Sequence, residues 1–231
     1  MSWAEEEEHI LNNYSPYTPC QTIFQAVCDE LGRYYSNKGF QYAKSRPKIT
    51  LKDQDLKLQI SFWSSGYNTP GEYVNLEIIP SFYSTKLSQK KRAQGQDAKQ
   101  GYFFGYPTIF NYPLLGREPG TVRVKQIFGD EIERYEEGTT EAVLIHNRNC
   151  NVYGITFENF KKILAFIDNQ IVPYFNILKD PEKLLSYIEA SNRERIYYLN
   201  ESKFREYTGI TFPTMEDHIN DALNQKAQIY L

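Results

Sequence analysis

Asp53, Asp55 and Lys57 are the residues whose types and spacing come nearest to a reactive set. An Asp-x-Lys on a strand places a carboxylate and an ammonium on one face, the pairing with which a metal-dependent nuclease or hydrolase holds Mg²⁺ beside a catalytic amine. Such a site needs a further carboxylate converging on the metal. Asp53 is close but belongs to a polar turn, and Glu77 is distant in sequence. The competing reading is a wet sheet face where charged residues alternate with Leu56 and Leu58, and that reading is the stronger.

Other chemistry has less support. His9, His146 and His218 are scattered through the chain. His146 and Cys150 stand four apart, with no neighbouring feature that would lower the thiol pKa, so a buried or reduced thiol is expected. The three cysteines, Cys20, Cys28 and Cys150, form no CxxC pair; Cys20 and Cys28, eight apart on one helix, are too far separated to bridge. A P-loop, a GxGxxG fingerprint, an HExxH pair and a GxSxG elbow are all missing from the sequence. No catalytic residue, metal ligand or cofactor is assigned on these grounds, and a non-enzymatic role is expected.

Binding is the better-supported class. Aromatic residues make up 15% of the chain, including 19 Tyr and 14 Phe, enough to fill a core and still leave amphipathic rings for contacts. Trp63 and Tyr67 are the rings expected to lie on the surface. Asp130, Glu131, Glu133, Glu136 and Glu137, with Glu141 following, face only Arg134 in sequence and could meet a basic protein or form an ordinary hairpin surface. Lys86, Lys90, Lys91, Arg92 and Lys99 make an opposite patch. The net charge of -3 and the lack of a nucleic-acid module argue against a nucleic-acid partner.

The elements that must carry these residues follow from periodicity. Thr18-Pro19-Cys20-Gln21 reads as a capping sequence, with Thr18 as cap. Ile23, Phe24, Val27, Leu31 and Tyr34 or Tyr35 then recur at helical spacing up to a stop at Gly39, which predicts a helix over 19–37. After Gly39 the period becomes two. Ile49 and Leu51, then Leu56, Leu58, Ile60 and Phe62, then Val74, Leu76 and Ile78 predict a meander of three antiparallel strands, with Pro80 at an end or edge. Lys57, Gln59, Ser61 and Trp63 fall on the opposite face. The segment 86–101 reads as a long mobile excursion, and 102–119 shows no period, although its rings could line a small-molecule pocket. Val122 and Val124 open a further strand, and 142–145 a short buried one. Thr156 is expected to cap a helix with a Phe157, Phe160, Leu164, Ile167 and Ile171 stripe, ended or kinked by Pro173. Asp180-Pro181 opens another helix bearing Leu184, Leu185 and Ile188. Short helical pieces near 193–199 and 202–207 follow, and a last helix, capped by Thr214 with Asp217, carries Met215, Ile219, Leu223 and Ala227.

Strands followed by helices define an α+β fold, an antiparallel sheet flanked by an N-terminal helix and a helical C-terminal third. The expected organisation is an acidic N-terminal arm over 1–17, an α+β domain over 18–178, and a helical extension over 179–231 packed on that domain. A mean hydropathy of -0.59 and the lack of a long apolar run or leader-like start point to a cytoplasmic protein with no membrane contact.

The helix end Asn37-Lys38-Gly39-Phe40, the 56–62 strand running into Trp63-Ser64-Ser65, and the strand through Val74-Asn75-Leu76-Glu77-Ile78 resemble a group of uncharacterised bacterial α+β domains of unknown function. The resemblance covers roughly 20–85, with a looser match around Pro173-Tyr174-Phe175. Some members of that group lie beside polymorphic-toxin genes and are suspected immunity proteins. The resemblance therefore implies a protein-binding domain, an immunity-like inhibitor of a partner protein; the reading of rings and charge supplies Trp63, Tyr67, Glu131, Glu133, Glu136 and Glu137 as its candidate binding residues. The group's motifs are structural and carry no catalytic residues over. Its departures here are the 86–101 insertion and the tail beyond Pro181.

Overall fold

Hydrophobic alternation from Leu56 to Phe62 produces a strand whose four apolar side chains are buried and whose intervening residues are not. Extending the same logic along the chain gives the full order. The computed structural model describes residues 3, 6–95, 102–103, 110–180 and 183. Helix α1 (Cys20–Ser36) precedes strands β1 (Gln41–Ala43), β2 (Lys48–Asp53), β3 (Leu56–Trp63) and β4 (Asn75–Ser84). Helix α2 (Thr85–Ala93) then leads into β5 (Tyr102–Phe103), β6 (Phe110–Pro113), β7 (Thr121–Lys125), β8 (Ile132–Tyr135), β9 (Val143–His146) and β10 (Asn149–Asn151). Helices α3 (Phe157–Phe166) and α4 (Val172–Leu178) follow, joined by a π-helical turn at Ile167–Ile171. The fold is α+β.

The main sheet has the order β1-β2-β3-β4-β10, with β5 also on β4, and every pairing in it is antiparallel. Pro80, expected at a strand end or edge, lies mid-strand opposite Ile60. Ile78 sends its N–H to the Arg148 carbonyl on the β10 side at 3.0 Å. Two residues on, the Pro80 nitrogen faces that same edge, in the gap between β10 and β5, where a missing N–H breaks no bond to a described residue.

Helix α1 lays Ile23, Phe24, Val27, Leu31 and Tyr35 on the sheet. Its N-cap is Pro19 rather than Thr18, whose hydroxyl turns back to accept from the Ser15 N–H at 3.0 Å. Gly39 stops the helix as expected, at φ +86. Helix α3 is capped by Thr156, which accepts from the Asn159 N–H at 3.2 Å. Its stripe of Phe160, Ile163 and Leu164 runs on through Ile167, Ile171, Tyr174 and Phe175. Proline cannot donate to the carbonyl four residues back, and the wide π turn just before Pro173 keeps the helical path continuous across that loss. Tyr35 donates to Asp168 Oδ1 at 3.0 Å, and Lys38 reaches Asp168 Oδ2 at 2.7 Å, so α1 and the C-terminal helices share one face of the sheet.

Three further expectations need correction. The first 17 residues are not a loose arm at their described positions: Trp3 and Leu11 are buried, and Trp3 meets Phe157 and Phe160 edge-on at 6.1 and 6.4 Å. The 86–101 excursion begins as a helix, because Thr85 docks on the Asp55 carbonyl through its N–H at 2.7 Å and its hydroxyl at 2.8 Å. The 142–145 strand is only half-buried beyond Ala142. It belongs to a second sheet, β6-β9-β7-β8, in which β7 and β9 are parallel. That mixed direction arises because β8 takes the outer side of β7 and the returning chain must use the other. Of the helices expected beyond 179, only the start is described: Asp180 accepts from the Lys183 N–H at 3.2 Å, as a cap should. The helices placed around 184–188, 193–199, 202–207 and 214–227 lie outside the described residues.

Gly32 shows how tightly α1 sits. A Cβ there would stand 2.4–2.7 Å from three atoms of the Tyr42 ring, whose hydroxyl is fixed to Asp29 at 2.8 Å. Gly32→Ala is therefore expected to destabilise the fold by about 1–2 kcal/mol, although the same change in an open helix stabilises by roughly 1 kcal/mol. Thermal unfolding checks the sign.

Candidate protein-binding surface

The structure disperses the Asp53, Asp55 and Lys57 set. Asp53 is opposite Leu56 and so faces the helices, where its carboxylate meets Lys179 Nζ at 2.5 Å. Asp55 accepts from the Ser84 hydroxyl at 3.2 Å. Lys57 is opposite Lys52 on the other face, its ammonium 4.1 Å above the Tyr83 ring. Burial, and then Lys52 and Lys48, hold that ammonium below the usual lysine pKa. Glu77 is committed to Arg148, whose Nε donates to it at 2.8 Å. The carboxylates thus diverge, each with its own partner. Among the described residues no three His, Cys, Asp or Glu side chains are placed to share a metal ion.

His146 and Cys150 do not pair either. Cys150 lies in the core opposite Leu76, and burial pushes its thiol well above the ordinary range. His146 ends β9 opposite Lys125; burial, and then that ammonium, lower its pKa, with Glu131 working the other way. All three cysteines are free thiols. His218 and Lys99 lie outside the described residues, as do the side chains of Lys90, Lys91 and the 102–112 rings.

The surface residues divide into two groups. Trp63, 52% exposed, closes β3 on the face away from the helices, beside Glu77. Tyr67, 91% exposed, projects from a loop tied down by the Asn68 amide, which donates to Ser64 Oγ at 2.8 Å. The second group is the β7–β8 hairpin. Every residue of β8 is exposed, with Ile132 at 53% and Tyr135 at 69%. Strand parity puts Ile132 and Arg134 on one face and Glu133 and Tyr135 on the other. Ile132 continues a row through Val124 and Ile145 on the neighbouring strands.

The acidic segment faces more cations than its own sequence suggested, because the register sets Arg123 opposite Glu133. Arg123 pairs with Glu131 and lies 3.6 Å from Glu133. Arg117 approaches Glu133 at 3.5 Å, Lys125 approaches Glu131 at 3.8 Å, and Arg134 holds Glu136 at 2.6 Å. Glu137 is in a turn without an ion pair among the described residues. From 117 to 141 seven carboxylates stand against four cations, so the hairpin keeps an acidic excess. Ile132 and Tyr135 were missed in sequence; their alternation with Glu133 and Arg134 was the available signal.

A scan against family models and searches of curated proteins and solved structures return no match to the chain. No helix among the described residues is long and apolar enough to cross a membrane.

Proposed function

We propose that this chain is a cytoplasmic binding domain, an immunity-like inhibitor that occludes a basic partner protein through the β7–β8 hairpin. One observation carries the reading: β8 exposes an isoleucine and a tyrosine on opposite faces of a strand ringed by surplus carboxylate. Large apolar and aromatic side chains supply affinity once desolvated, while the charge around them selects the partner and speeds encounter. The same acidity repels a phosphate backbone, which favours protein over nucleic acid. Trp63 and Tyr67 are exposed apart from it, on β3 of the main sheet and on the loop that follows.

Co-expression with the protein encoded beside it tests the reading. A stoichiometric complex is expected that weakens as salt rises. Ile132→Asp and Tyr135→Ala are each expected to weaken it by at least about 2 kcal/mol, roughly thirtyfold. Recovery of no partner, or a complex indifferent to both substitutions, overturns the proposal.

A further inference from the structure

β8 is the outermost strand of the second sheet, and its backbone directions can be assigned residue by residue. Glu136 donates its N–H inward to the Gly120 carbonyl at 2.8 Å. Backbone groups two residues apart point the same way, so Arg134 and Ile132 also bond to β7, while those of Glu133 and Tyr135 point out of the sheet. Neither residue's outward N–H or C=O meets a described partner. The edge therefore offers two donors and two acceptors in strand geometry, the template by which an extended segment joins a sheet.

We infer that an extended, basic segment of the partner protein adds to the second sheet as a fifth strand along the outer edge of β8. This rests on the reading of the hairpin as the binding surface and specifies how that surface works. The added strand would set cationic side chains on the face of Glu133 and Tyr135 and apolar ones on the face of Ile132. A second copy of the chain is the poorer occupant. Antiparallel self-pairing through the outward groups and centred on β8 at Glu133 sets Glu133 against Glu133. Like charges directly opposite one another are destabilising. Glu133 thus disfavours self-pairing centred on it while leaving the edge open to a basic strand.

The test uses the ¹⁵N-labelled full chain and a nine-residue capped peptide alternating lysine with valine, together with the same peptide N-methylated at alternate residues. Binding is expected to slow amide exchange at Glu133 and Tyr135, whose N–H groups face outward, and N-methylation in register is expected to weaken it roughly tenfold or more. Tyr135→Pro, which removes an outward donor without touching the β7 ladder, is expected to weaken binding beyond Tyr135→Ala. If the peptide shifts hairpin resonances while exchange at Glu133 and Tyr135 and both backbone changes have no effect, the surface reading stands and the added strand is refuted. If the peptide leaves the hairpin untouched, the added strand is refuted as well, and the co-expression complex decides the surface reading separately.

Discussion

Trp3→Ala is expected to destabilise the protein by about 3–5 kcal/mol, the range for deleting a buried large ring. For a domain with ordinary stability of about 5–15 kcal/mol that is a large fraction of the total. Trp3 is 3% exposed and stands edge-on to both Phe157 and Phe160, with the His9 ring 5.9 Å away. Its carbonyl also accepts from the Asn12 side chain at 2.9 Å, which helps hold the N-terminal segment in place. The indole N–H, however, has no partner among the described residues. Trp3→Phe removes that unpaired donor while keeping most of the packing, and is expected to cost no more than about 1.5 kcal/mol. Urea unfolding of the two variants separates the outcomes. Near-wild-type stability for Trp3→Ala would mean that the segment does not contribute to the core.

Phe82→Ala carries the second large effect, also about 3–5 kcal/mol. Phe82 is fully buried on β4 opposite Leu58, with the Tyr174 ring at 5.1 Å and the Phe175 ring at 6.4 Å. It is a side chain through which the sheet grips α4, so its loss empties space at that contact. Phe82→Leu retains part of the volume and is expected to cost clearly less. The denaturation midpoint reads the difference, and equal values for the two variants would show that the ring contacts contribute little. Both substitutions lie away from β8, so a folded fraction of either variant should still bind the partner.

Much of the framework was legible because it rests on short-range periodicity. The 3.6-residue stripe from Ile23 to Tyr35, the alternation from Leu56 to Phe62 and the Thr156 cap each depend on neighbours within a turn or two, and each appears where the pattern predicts. The errors fall where distant partners decide. Pro80 was read as lying at a strand end or edge because a proline normally breaks a ladder; it sits mid-strand, and an edge gap between two strands that pair elsewhere on β4 admits it. Trp3, in a segment read as an acidic arm or loose helix, is drawn in by rings contributed more than 150 residues later. The candidate site was legible only in outline. Its acidic residues could be named, but their cations, and the exposure of Ile132 and Tyr135, depend on the β7–β8 register.

The order of residues alone thus determined an α+β chain, its main helices and strands, and which side chains alternate between dry and wet positions, since local sterics and hydrophobic period fix these without reference to the rest of the molecule. Only tertiary structure decided that Asp53 and Lys57 part to opposite faces, that β7 runs parallel to β9, and that β8 is left at an open edge. Strand order and register depend on contacts between segments far apart in the chain, and one residue of register reverses every side chain between faces.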